Sequence, residues 1–285
     1  MTRLTALVLA AALAVLAGCG SDDNDKSSSS SSTASATSCA KDKLALTSAG
    51  QLTVGTDKPA YPPYFVDDDP TNGKGFESAV AFAVAKQLGF TADEVKWTVV
   101  PFNSSYAPGP KNFDFDINQI SITPAREKAV DFSRAYYTAP QAVVVPKGSD
   151  YANASSLADL KSATVGVQIG TTSLDAAREV IKPDNDVKVF NDSNDVVTAL
   201  KQDQVDAIVV DLPTAFYLTA AQVPDAKIVG QFSAPGGDQF GLLLAKDSKL
   251  TPCVSEALGK LTFSGDLKKI TDKWMGGAAG APELH

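Results

Sequence analysis

Histidine is almost absent from this chain of 285 residues: the single example, His285, is the last residue. A Ser-His-Asp triad and a His-rich metal site therefore lack their central residue. Cysteine is scarce as well, at three, which leaves little for thiolate metal chemistry. Basic charge is not in excess: 25 Lys+Arg stand against 33 Asp+Glu, a net charge of -8. That balance argues against nucleic acid or an anionic membrane surface as the main partner. The N-terminal apolar run, residues 4–18, is 15 residues long, short of the ~20 that span a bilayer as a helix. What remains is 44% apolar and 20% charged residues. That is enough apolar material for a sizeable core, arranged as one large domain or two small ones at ~150 residues each.

The N-terminus carries an address. Arg3 precedes the apolar run, which ends in Leu16-Ala17-Gly18-Cys19. These are the proportions of a signal-peptide core, and small residues ahead of Cys19 resemble a bacterial lipobox. The resemblance implies cleavage of residues 1–18 and attachment of lipid to the Cys19 thiol. Residues 27–38 hold eight Ser, two Thr and two Ala. Such a segment cannot bury enough surface to offset its ordering entropy, so residues 19–43 are expected to form a disordered tether. Cys39 and Cys253 are the two cysteines left over. In an exported protein an even pair is more often bridged than free, and a disulfide between them is expected.

From residue 44 the pattern is α/β. Residues 52–56 and 95–100 read as strands, and Val80, Val84 and Leu88 fall at helical spacing ahead of Gly89. Phe113, Phe115 and Ile117 alternate with Asp114, Asp116 and Asn118, the mark of a half-buried strand. Thr123 suits an N-cap and Pro124 a first helical position. Residues 141–145 form another strand, and the same grammar restarts after Lys147: strands at 164–168, 187–190, 206–210 and 240–244, helices between and after them. Mainly parallel pairing is expected.

Ligands in open α/β sheets bind beyond the carboxyl ends of strands. Three such ends carry suggestive residues: Asp57, the stretch from Ser121 to Arg126, and Asp211, with Gly170-Thr171-Thr172 in the same half as Asp211. A helix N-terminus beside Arg126 would hold a carboxylate, which Arg binds through two parallel hydrogen bonds. Asp57 or Asp211 could face a cation at the other end of the ligand, and a carboxylate and an ammonium held a few ångströms apart describe an α-amino acid. The bland alternatives are a surface Arg126 and turn-capping roles for Asp57 and Asp211. Asp67-Asp68-Asp69 lacks the Gly and Glu of a calcium loop and reads as a solvated turn.

Gly55-Thr56-Asp57 with Tyr61-Pro62-Pro63-Tyr64-Phe65, Gly75-Phe76-Glu77, Ser121-Ile122-Thr123-Pro124-Ala125-Arg126, Val130-Asp131-Phe132-Ser133, Val165-Gly166-Val167-Gln168 and Lys273-Trp274 occur in that order. Together they resemble the polar amino-acid-binding proteins of ABC importers (solute-binding protein family 3). The resemblance implies a two-lobed periplasmic-binding-protein-like fold of type II. Each lobe would be a mixed, mainly parallel sheet flanked by helices, joined by two hinge strands. Lobe 1 would comprise residues 44–137 and 241–285, and lobe 2 residues 141–235. The same resemblance implies roles. Arg126 would fork onto the α-carboxylate, Ser121 would bond the carboxylate or the amino group, and a backbone N–H at Thr171 or Thr172 would add to the carboxylate. Asp211 would receive the ammonium, Asp57 the ammonium or the side chain, and Tyr61 and Phe102 would sandwich the ligand.

Two departures stand out. Asn118 and Gln119 replace small residues and would narrow the site, and residues 103–111 replace a helix. Uncharged Gln168 favours a neutral polar or basic ligand over an acidic one. The implied protein is a monomer without cofactor or metal, not an enzyme, anchored outside the cell membrane through Cys19 and working with an ABC permease. The alternatives are a dehydratase acting on prephenate-like acids, with Glu77 or Asp116 as proton donor, and a ligand-sensing domain.

Overall fold

The computed structural model describes residues 38–276 and 280–285; Cys19, with the leader and most of the tether expected around it, lies outside the described residues. The elements of the first half are β1 (Leu52–Thr56), α1 (Phe76–Gln87), β2 (Val95–Val99), α2 (Phe102–Ser105), β3 (Phe115–Asp116) and β4 (Val130–Thr138). Those of the second are β5 (Gln141–Pro146), β6 (Val165–Gln168), α3 (Thr172–Ala176), β7 (Lys188–Phe190), α4 (Ser193–Lys201), β8 (Ala207–Asp211), α5 (Leu212–Tyr217) and β9 (Ala226–Phe232). The chain then returns through β10 (Gln239–Ala245), α6 (Thr251–Phe263) and α7 (Asp266–Met275).

These strands make two five-stranded sheets, ordered β2-β1-β3-β10-β4 and β7-β6-β8-β5-β9. Both are mixed. In the first, β1 pairs in parallel with β2 and β3, while β10 runs antiparallel to β3 and β4. In the second, β6 is parallel to β7 and β8, while β5 is antiparallel to β8 and β9. Parallel pairing therefore accounts for half of each sheet, not most of it. The strands next to the crossings run backward because the chain enters and leaves each lobe there.

The first core lies between its sheet and α1, α6 and α7, with Val54, Phe76, Val80, Val84, Phe115, Leu242 and Leu258 buried. Alpha-1 starts at Gly75 because its φ of 97° suits glycine and a Cβ there would meet the Tyr64 carbonyl oxygen at 2.3 Å. The second sheet is covered on both faces. Along β5, Val143 and Val145 enter one cluster, whereas Ala142 and Val144 enter the other with Val196, Leu200 and Leu212. Successive side chains point to opposite faces, so a strand covered on both sides reads as an unbroken apolar run. Residues 113–118 break the half-buried expectation in the same way: Asp114 and Asp116 are buried along with Phe113, Phe115 and Ile117. Asp114 is tolerated because its carboxylate accepts from Thr47 N at 2.6 Å, Thr47 Oγ1 at 3.0 Å and Thr53 N at 2.6 Å.

Two segments cross between the sheets and pair with each other. Thr138 lies opposite Gln239, Tyr137 opposite Phe240, and Ala139 N donates to the Asp238 carbonyl at 2.9 Å.

The chain ends differ from expectation. The tether was expected to run to residue 43, yet Cys39 is joined to Cys253 of α6 by a disulfide, and Lys41 Nζ reaches Glu94 at 2.6 Å. Residues 241–285 were expected in the first lobe, but the last of them pack on the second. Gln231 N donates to the Pro282 carbonyl at 2.8 Å, Leu284 N donates to the Gln231 carbonyl at 2.9 Å, and Leu284 is buried with Val229 and Phe232. Gly230 makes the room, since a Cβ there would lie 2.4 Å from Leu284 Cγ. Nothing local in the sequence of this tail announces a docking site on a strand 50 residues away. Leu284→Ala should lower unfolding stability by about 2–5 kcal/mol, the range for deleting a buried leucine side chain. An unchanged denaturation midpoint would show that the tail adds nothing to the second core.

Candidate functional site

The facing ends of the two sheets enclose a cavity of ≈ 130 Å³. Asp57, Tyr61, Phe102, Gln119, Ser121, Arg126, Thr171, Thr172 and Asp211 all line it. The first six come from the lobe of β1 and β3, and the last three from the lobe of β6 and β8. Side chains meet across the gap: Ser121 Oγ lies 3.2 Å from Thr172 Oγ1, and Tyr64 OH lies 3.3 Å from Thr214 Oγ1.

Arg126 is the centre of one end. Its Nη1 donates to the Ser121 carbonyl at 2.7 Å and its Nη2 to the Gly170 carbonyl, in the other lobe, at 2.9 Å. The Tyr106 and Phe102 rings lie 4.7 and 5.5 Å from its Cζ. It is 8% exposed, and burial pushes its pKa down. Among the described residues it forms no salt bridge. A guanidinium has five N–H donors, and two are used, so three remain for an anion. The helix expected at Thr123 does not develop. Thr123 Oγ1 does accept from Arg126 N at 3.2 Å, but only a 3-10 turn over Arg126–Lys128 follows before β4 begins. The first lobe therefore brings a guanidinium and no helix terminus to this end; the N-terminus of α3, capped by Thr171, comes from the other lobe.

Asp211 marks the other lobe. It occupies the N-cap position of α5 but makes no capping bond with its side chain. Its Oδ1 instead accepts from Gln141 Nε2 at 2.8 Å, and Gln141 Oε1 accepts from Ser173 Oγ at 2.6 Å. Desolvation raises the Asp211 pKa to about 7, helped by Asp238 and opposed by the Gln141 bond and by Arg126. Asp57 is used locally: Oδ1 accepts from Lys58 N at 2.7 Å and Oδ2 from Phe102 N at 3.0 Å. It therefore positions the Phe102 ring as well as bordering the cavity. Thr171 is the N-cap of α3, accepting from Leu174 N at 3.2 Å and donating to the Gln168 carbonyl at 2.8 Å.

Gln119 borders the cavity but spends its amide beneath it. In the left-handed region (φ 49°), its Nε2 donates to Glu77 Oε2, and its backbone N donates to Glu77 Oε1 at 2.7 Å. Tyr136 OH donates to the same oxygen at 2.5 Å. Burial raises Glu77 to about 7 against these three bonds. Asp116 is fully buried, neither of its oxygens has a hydrogen-bond partner among the described residues, and desolvation pushes its pKa well up. Neither Glu77 nor Asp116 lines the cavity.

Sequence reasoning missed several residues here. Gln141, Tyr106, Asn194, Thr214 and Gln222 are placed at or behind the site by folding. Gln141 had a readable signal, a polar residue opening an otherwise apolar strand directly after Pro140. Tyr106, in a Pro/Gly-rich stretch, had none. Among the described residues no group of three or more His, Cys, Asp or Glu could hold a metal ion.

Two lobes that meet across a cavity, with an arginine from one and an aspartate from the other in its lining, define a receptor for a small charged solute. The comparisons agree. The family model "Bacterial extracellular solute-binding proteins, family 3" matches residues 52–277, and the chain belongs to that family. It is 33% identical over 237 residues to the arginine-binding extracellular protein ArtP of Bacillus subtilis, covering 80% of this chain and 87% of that one. Among solved structures, an ancestral arginine-binding protein bound to glutamine matches with a TM-score of 0.68 and 34% identity, covering 80% of this chain and 98% of that one. An ancestral amino acid-binding protein, described as a precursor of cyclohexadienyl dehydratase, matches with a TM-score of 0.64 and 31% identity over 79% and 95% of the two chains.

The raised carboxyls have a measurable consequence. Asp211 and Glu77, with ordinary values of 3.8 and 4.5, both move to about 7 in the folded protein. Over that window the folded state holds protons that the unfolded chain releases. Their contribution to stability is therefore complete below about pH 4 and is lost as pH rises through about 7. Without added amino acid, the melting temperature should be higher at pH 5.5 than at pH 8, and Asp211→Asn should flatten part of that slope. Equal slopes in the two proteins would mean Asp211 does not titrate in this range.

Proposed function

We propose that this protein captures a free α-amino acid between its lobes outside the cytoplasm and delivers it to an ABC-transporter permease. The observation that carries this reading is a buried guanidinium without a salt bridge, Arg126, lining the same cavity as the carboxylate of Asp211. A buried charge is costly unless paired. A ligand α-carboxylate supplies Arg126 with its counter-charge, and the ligand ammonium supplies Asp211 with its own. Ser121 and Thr172, already 3.2 Å apart, flank the same groups from opposite lobes. Only the closed arrangement collects both sets of contacts, so the ligand shifts the population toward closure. Closure presents one defined shape to the permease.

The ligand side chain is neutral polar or basic. Asp57 and Asp192 line the cavity in addition to Asp211, while Lys58, the second cation of the lining, faces Asp68 at 3.6 Å. Gln168 is uncharged, with its Oε1 accepting from Ser193 Oγ at 2.6 Å. Arginine and glutamine, named for the related proteins, both fit that description. Binding rather than turnover is the function. Glu77 and Asp116, the carboxyls considered as proton donors, stand outside the cavity lining, and Glu77 is occupied by Tyr136 and Gln119. Lipid on Cys19 holds the monomer to the outer face of the cell membrane, and the Ser-rich tether lets it reach the permease.

A thermal-shift screen of the twenty amino acids should give stabilisation by one or a few of them, since a ligand that binds only the folded state raises the melting temperature. Arg126→Ala should then weaken binding by about 2–4 kcal/mol, as for a buried charge that loses its partner. Asp211→Asn should weaken the amino acid more than its des-amino analogue. No stabilisation by any amino acid, or equal losses for both ligands with Asp211→Asn, would overturn the assignment.

A further inference from the structure

Beside Arg126 stands a residue that is absent from the cavity lining and packs against the first lobe's Val100, Phe113 and Ile120 cluster, yet reaches the other lobe. Tyr106 follows α2 in the first lobe. Its hydroxyl lies 2.8 Å from Asn103 Oδ1 in the same lobe and 3.2 Å from the Gly170 carbonyl in the other. Its ring lies 4.7 Å from Arg126 Cζ and meets Phe102 edge-on at 5.6 Å between centroids. The Gly170 carbonyl is the one that also accepts from Arg126 Nη2 at 2.9 Å. Gly170 has a φ of +74°, and a Cβ there would lie 2.2 Å from the Tyr106 hydroxyl and 2.3 Å from Asn103 Oδ1. The Gly170 backbone of one lobe thus meets two side chains of the other at close range, and glycine is what permits it.

We propose that Tyr106 is a positioning residue for ligand retention: its hydroxyl latches the closed lobes at Gly170, and its ring holds the Arg126 guanidinium in register for the ligand. The proposal rests on the reading of the cavity as an amino-acid site and deepens it.

The two functions separate by lobe. Tyr106, Asn103, Phe102 and Arg126 all belong to the first lobe, so the ring stack on Arg126 persists when the lobes part. The bond to Gly170 does not. A single hydroxyl hydrogen has two acceptors within reach. With the lobes apart it stays satisfied on Asn103, and with the lobes together it gains the alternative of Gly170. An interaction present only in the closed state stabilises that state. It therefore acts on the rate of release, since capture precedes its formation. The ring acts earlier. A cation over an aromatic face is attracted to it, more strongly where water is excluded, and a guanidinium already oriented loses less freedom on meeting a carboxylate.

The test uses the full chain and whichever of L-arginine or another of the twenty amino acids stabilises the wild type. Association and dissociation rates are measured by stopped-flow for wild type, Tyr106→Phe and Tyr106→Leu, with the ligand-free melting temperature of each. Tyr106→Phe keeps the ring and removes the latch. Dissociation should accelerate about 2–5-fold, the low end of one hydrogen bond because the hydroxyl keeps Asn103 when the lobes part, with the association rate within about twofold of wild type. Tyr106→Leu removes the ring as well and should lose about 10–100-fold in affinity. If Tyr106→Leu fails to fold, the Tyr106→Phe dissociation rate decides alone. A wild type that binds with an unchanged Tyr106→Phe dissociation rate overturns the latch while leaving the amino-acid site standing. A lower ligand-free melting temperature without faster release means that Tyr106 is only structural and also overturns it. A wild type stabilised by no amino acid removes the site and the latch together.

Discussion

A guanidinium buried where two lobes meet is the constraint from which the rest follows. Arg126 is held by two carbonyls and two rings instead of a carboxylate. Carbonyl dipoles and aromatic faces stabilise a cation only in part, and burial still pulls its pKa down. The remaining donors face a cavity that Asp211 also lines. Several neighbours orient this group. Asp57 fixes the Phe102 backbone, Phe102 and Tyr106 flank the guanidinium, and Gly170 lets the second lobe approach it.

The opposite charge is prepared differently. Asp211 ends a strand in the second lobe and is linked through Gln141 to Ser173. Gln141 is the first residue of β5, directly after the crossing at Pro140. One buried amide therefore joins the crossing segment, the acidic group and the start of α3. Outside the cavity lining, behind Gln119, Glu77 is pushed toward its neutral form by desolvation, and so is the fully buried Asp116.

Local sequence rules succeeded where the interaction itself is local. The Val80, Val84, Leu88 spacing became α1 with Gly89 at its end, and Thr171 became a cap. Thr123 did cap Arg126, yet the helix stopped within one turn because Val130 pairs with Ala245, a partner far along the chain. The alternation at residues 113–118 had the right period and the wrong exposure, because Asp114 is satisfied by Thr47 and Thr53 from another part of the chain. Leu284 sits in a Gly- and Ala-rich tail with no periodic pattern, and only the slot at Gly230 gives it a place in the second core.

By itself the order of residues determined the α/β grammar and the residue types at the site, because propensity, capping and periodicity act within a few positions. Strand direction next to the crossings, the docking of the tail, the burial of Glu77 and Asp116 and the contact of Tyr106 with Gly170 were decided only by tertiary structure. Each depends on groups from separate stretches of chain, or from different lobes, brought within a few ångströms, and no short window of sequence contains both members of such a pair.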